Sequence, residues 1–183
     1  MFVRNSTRMR TVRLTATILY YLARGLAFLI FAITAYALIL LLIHRIAPSA
    51  SLPLQVSEGI FHIYLPFTHT VFLIGEPTTA FIVTNFLTFA FYGLFLWLLS
   101  GVFQAFRQEK LFTSKSVRQL SLFYGTNLAA PLIFLGLLAI FGTELQDMIR
   151  IILLHLVIGV FAFFMAAIFR QGVVLQEEQD LTF

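Results

Sequence analysis

The stretch GLAFLIFAITAYALILLLI, Gly25–Ile43, contains no charged residue, and three further stretches share that property: Pro77–Phe106, Gln119–Thr143 and Ile151–Phe169. A helix needs roughly 20 apolar residues to cross a hydrocarbon core of about 30 Å, and each stretch is about that long. The charge gaps therefore predict an integral membrane protein of four helices. They also confine every acid and base to the span ends and the connections, which limits where chemistry or recognition can occur.

Composition supports the same class. Hydrophobic residues make up 60% of the 183-residue chain, charged residues only 11%, and mean hydropathy is +0.95. A soluble domain averages about 25% charged. Four spans with their connections fill nearly the whole length, which predicts a single membrane domain over 1–183 with spans at about 18–46, 77–106, 119–142 and 148–170. A loop at 107–118 and a tail at 171–183 complete it. The absence of cysteine excludes disulfides, thiolate catalysis and cysteine-ligated metals. The pI near 9.8 would suggest nucleic acid for a soluble protein, but here the basic residues follow topology rules, so no direct nucleic-acid contact is expected.

Orientation follows from the same residues. Arg4, Arg8, Arg10, Arg13 and Arg24 precede or open the first span, Arg107, Lys110, Lys115 and Arg118 join the second to the third, and Arg170 follows the fourth. Arg45 and Arg150 lie on the other side. The positive-inside rule puts both termini and the middle loop in the cytoplasm, and hence the protein in the bacterial inner membrane as a multi-pass chain. Ala47-Pro48-Ser49 loosely resembles a signal-peptide cleavage site, but the apolar stretch before it far exceeds the 7–15 residues of such a signal, which favours an uncleaved anchor.

Within this frame, Met1–Arg13 reads as frayed or lying on the membrane surface. Helix one is expected from about Thr15 to Ile46, with Arg24 snorkelling to the headgroups. Pro48 and Pro53 break the chain. Ile60–Leu65 partly alternates, so the outer connection is expected as a hairpin or a short interfacial helix. Pro77 with Thr78 and Thr79 suits the start of span two. The short connection around Gly142 makes spans three and four antiparallel neighbours. Phe106-Arg107-Gln108 and Phe169-Arg170-Gln171 form a faint repeat at two span exits, either an old duplication or an ordinary interface pairing.

Polar residues within spans are costly and are the first place to seek function. Asn85 and His155 are expected to meet in the outer half, and Asn127 to serve backbone groups released by Pro131. Trp97 and the phenylalanines read as lipid-facing bulk or belt residues rather than a ligand box. His44, His62, His69, Glu58 and Glu76 match no metal spacing, and no nucleophile elbow, P-loop or dinucleotide fingerprint occurs. No catalytic, cofactor-binding or metal-binding residues are assigned, and no cofactor is expected.

The loop Gln108–Leu120 is the most patterned segment, with Thr113 or Ser114 positioned to cap a new helix. Glu177, Glu178 and Asp180 form the one acidic cluster on a basic face, either on a solvated helix end or on a tail folded back over Lys110–Arg118. These two segments, Q-E-K-x-F-T then V-R-x-L, and F-R-x-G-x-x-L-x-E-E-x-D-L-T, resemble a bacterial family of four-helix membrane proteins classed as domain of unknown function 2975. The resemblance implies a regulatory partner, because members are commonly encoded beside a small Cro-like helix-turn-helix protein. It implies no catalytic residue. This chain departs from the family pattern at Lys115-Ser116 and in its phenylalanine-rich spans.

The expected protein is thus all-α, an integral membrane four-helix bundle. Partner-binding residues are sought among Gln108, Glu109, Lys110, Phe112, Thr113, Arg118, Glu177, Glu178 and Asp180, with homo-oligomerisation as a further expectation. The alternative is a small transporter or channel subunit with Asn85, Asn127 and His155 lining a path.

Overall fold

A computed structural model of the chain describes residues 2–48, 52–142 and 145–181. It contains four helices, α1 Phe2–Ile46, α2 Thr79–Arg107, α3 Ser114–Phe141 and α4 Leu145–Asp180, with strands β1 Leu54–Ser57, β2 Ile60–Tyr64 and β3 Val71–Gly75 between α1 and α2. All four helices are long and apolar enough to span a membrane. The protein is a mostly helical, multi-pass membrane protein, as the charge gaps predict.

Several boundaries follow from local chemistry. The Thr78 hydroxyl accepts from the Phe81 amide at 3.2 Å, so Thr78 caps α2 and Pro77 lies just outside it. Thr113 caps α3 with extended backbone and accepts from the Ser116 amide at 3.1 Å, fulfilling the expectation for that loop. Gly142 closes α3 with φ 63, a left-handed conformation suited to glycine, and its amide donates to the Leu138 carbonyl at 2.9 Å.

One expected boundary is corrected. Helix α1 does not begin near Thr15 but runs from Phe2, because no proline or glycine occurs before Gly25 to stop it. Of the two readings of the tail, the helix end is the one found: α4 continues unbroken through Arg170 to Asp180, and Gly172 alone does not break it.

The chain divides into two compact units. The first, Phe28–Gly93, holds the distal half of α1, the sheet and the first half of α2. Of the two expectations for the outer connection, the strand reading is the correct one. β1 and β3 each pair antiparallel with β2, with a register shift at Ile63/Tyr64. Leu54, Phe61 and Ile63 from the sheet pack with Ala37 and Leu40 of α1 and Phe86 of α2. The Tyr36 hydroxyl donates to the Tyr64 carbonyl at 3.0 Å, tying α1 to the irregular end of the central strand β2.

The second unit comprises Met1–Ala27 and Leu94–Phe183. Here α3 and α4 pack closely as antiparallel neighbours. At Gly159 a Cβ would lie 2.8 Å from Leu128 Cδ2 and 3.2 Å from the Leu128 amide nitrogen, so the missing side chain permits the approach. Leu120, Ala166, Phe169 and Ala105 form the core at one end of this unit. Phe106 and Phe169, from the two repeated span exits, meet edge to face at 5.5 Å.

Candidate functional site

Residues Gln108–Thr113 link α2 to α3 and lie beside the part of α4 beyond Arg170. Phe112 joins the two. Its ring packs edge to face on Phe169 at 5.3 Å and covers Gly172 so closely that a Cβ there would sit 2.4 Å from Phe112 Cδ1. Any side chain at position 172 would displace the ring, so glycine makes the seat for it. Around this seat runs a groove of about 380 Å³ lined by Glu109, Lys110, Phe112, Leu175, Gln176 and Gln179. Val174 and Leu175 on the α4 extension, and Leu181 just past its end, expose apolar surface, at 48%, 60% and 87%.

The sequence-predicted partner residues are only partly brought together. Glu109, Lys110 and Phe112 line the groove. Glu177, Glu178 and Asp180 are exposed near the end of α4, adjoining the groove residues Gln176 and Gln179. Arg118 is exposed on the first turns of α3. Thr113 is committed to the helix cap, where its hydroxyl also pairs with Ser116 Oγ at 2.9 Å. Glu109 is held from the other side by Arg13, with N–O separation 3.9 Å and a bond from Arg13 Nη2 to the Glu109 carbonyl at 3.4 Å. Glu109 is 93% exposed, so this pair restrains the loop only weakly. Sequence reasoning missed Gly172 and Leu175, although a glycine inside a long helical pattern was the available signal.

Inside the spans the polar pairing differs from expectation. Asn85 does not meet His155. Its amide nitrogen donates to the Phe81 carbonyl one turn back at 2.9 Å. His155 instead pairs with Asn127, Nδ1 to Oδ1 at 2.8 Å, and both are almost fully buried. The amide oxygen can only accept, so Nδ1 carries the proton. The Asn127 amide nitrogen donates to Phe123 O at 2.8 Å, so it does not serve the carbonyl released by Pro131, which is Asn127's own. Phe95 meets the His155 ring edge to face at 5.5 Å and Phe134 stacks on it at 6.2 Å. Packed between rings and bonded across α3 and α4, the pair fixes helix register.

Arg24 and Trp97 also depart from expectation. Trp97 is a platform rather than lipid-facing bulk, because the Arg24 guanidinium lies 3.3 Å from its ring centroid. Arg24 Nη1 also donates to Ser100 Oγ at 3.2 Å, so the side chain is held by protein instead of snorkelling freely.

Among the described residues, no group of three or more His, Cys, Asp or Glu is placed to hold a metal ion. No curated protein and no solved structure matches the chain. The model of one family, described as protein of unknown function DUF2975, matches residues 62–183, two thirds of the chain. That span includes the loop, Phe112, Gly172 and the α4 extension, and the chain belongs to this family.

Proposed function

We propose that this chain is a non-enzymatic regulatory or sensory protein of the bacterial inner membrane, with both termini and the α2–α3 loop in the cytoplasm. Its loop and α4 extension would take a small helix-turn-helix regulator. The observation that carries this reading is the groove built on Phe112 and Gly172, flanked by exposed apolar and acidic side chains beyond the charge-free stretch Ile151–Phe169. A basic, amphipathic helix of a DNA-binding protein suits such a surface in charge and shape.

The test uses the full chain in nanodiscs and the purified helix-turn-helix protein encoded beside it. Saturable binding that is weakened by Phe112→Ser and by deletion of Gln176–Asp180 is the expected result. Binding indifferent to both changes, or an adjacent gene encoding no such protein, refutes the reading. The alternative, a small transporter or channel subunit, draws little support from the intramembrane residues. Asn85 is bonded within its own helix and Asn127 with His155. The cavity of about 500 Å³ between α2, α3 and α4 is lined by apolar side chains such as Leu99, Val102, Phe161 and Met165. Solute flux through reconstituted vesicles is the outcome that would favour the alternative.

A further inference from the structure

Two guanidinium groups face one tyrosine ring where α1 runs beside the last turns of α2. Arg107 lies 4.6 Å from the Tyr20 centroid and 5.2 Å from that of Tyr21, and Arg24 lies 5.8 Å from Tyr20. Their distances to the shared ring bound the separation of the two cations at 10.4 Å. Tyr20 and Tyr21 pack edge to face at 5.1 Å, giving the pair a firm aromatic floor.

Two like charges this close in a membrane protein need a counter-charge. Among the described residues no carboxylate pairs with Arg24 or Arg107, and the Arg13–Glu109 ion pair involves neither. Arg24 spends one N–H on Ser100, itself fully buried and donating to the Trp97 carbonyl at 2.6 Å. Among the described residues, Arg107 makes its contacts with the Tyr20 and Tyr21 rings. Ring faces attract a cation but do not neutralise it, and they leave the in-plane N–H donors open.

We propose that Arg24 and Arg107, seated on Tyr20 and Tyr21, bind a phosphate group. The guanidinium fork matches phosphate oxygens in geometry and charge. Arg107 ends α2 at the boundary of its span, which is the level of lipid headgroups. The Tyr20 and Tyr21 rings beside Arg107 suit the headgroup layer as well. The phosphate of an anionic lipid and a soluble phosphate share this chemistry.

The full chain in a zwitterionic detergent is titrated with phosphatidylglycerol, with phosphatidylcholine and with inorganic phosphate while thermal unfolding is followed. Phosphatidylglycerol should raise the unfolding midpoint saturably and phosphatidylcholine should not. Arg107→Gln should weaken the response about tenfold or more, by loss of a charged bidentate contact. Arg107→Lys should restore it only in part, and Lys115→Gln, on exposed α3, should leave it intact. Inorganic phosphate that reproduces the shift assigns the site to a soluble phosphate and leaves the chemistry standing. Because Arg24→Gln also breaks the bond to Ser100, Arg107 carries the decision. Equal responses to the two lipids, or an Arg107→Gln protein responding like the parent, overturns the proposal.

Discussion

Replacing Gly172 by alanine separates two opposing effects. Alanine is favoured over glycine in a helix interior by about 1 kcal/mol. Against this, the new Cβ would come within 2.4 Å of Phe112 Cδ1 and 2.5 Å of Cγ, atoms near the ring's attachment that cannot swing clear without moving the loop. Phe112 is 38% exposed, so displacing it forfeits at most about 1–2 kcal/mol of burial, plus roughly 0.5–1.5 kcal/mol from its contact with Phe169. Gly172→Ala should therefore leave overall stability in detergent within about 1–2 kcal/mol of the parent while freeing the loop. In a Phe112→Ala background the clash is gone, and Gly172→Ala should stabilise by about 1 kcal/mol. Because the chain lacks cysteine, a Leu111→Cys reporter can be labelled without background, and Gly172→Ala should speed its modification. If Gly172→Ala stabilises both backgrounds equally and leaves labelling unchanged, Phe112 does not rest on Gly172 and the groove loses its foundation.

Asn127→Leu and His155→Leu should each lower stability by about 0.6–2 kcal/mol, the double variant costing less than their sum because one bond is shared, while Asn85→Leu should lack that coupling. Gly159→Leu should separate α3 from α4 and lower stability by about 1–3 kcal/mol in chemical denaturation, since the Leu128 backbone stands in its way. Phe67, with φ 62, adopts a conformation that costs a bulky residue about 1–2 kcal/mol, so Phe67→Gly should raise the thermal midpoint of the intact chain. Reporter fusions after Gln108 and after Asp180 should behave as cytoplasmic and one at Glu58 as external, and the reverse pattern would invert the orientation drawn from the arginines.

The spans are legible in the sequence because a membrane's thickness sets a length and charge has nowhere to hide within it. The helix starts at Thr78 and Thr113 are legible because capping is local chemistry. The partner of His155 is not legible, because depth along a span narrows the choice while azimuth, set by how α3 and α4 roll against each other at Gly159 and Leu128, decides it. Arg24 misleads for a related reason. An arginine near a span end resembles a snorkelling residue until Trp97 and Ser100, some 75 positions away, are seen to hold it. Of the loop and tail, the sequence marks the charged residues, but the seat at Gly172 depends on where Phe112 points. Only packing determines that.

Helix α4 carries both His155 and Gly172 on one hydrogen-bonded rod without a proline between them. The two positions are 17 residues apart, about 25 Å along the axis. A helix resists twisting and stretching far more than its packing against neighbours resists sliding. A roll or axial shift of α4 large enough to part His155 from Asn127 must therefore also carry Gly172 out from under Phe112. The buried bond acts as a detent and the glycine seat as its indicator, geared together by a single stiff shaft.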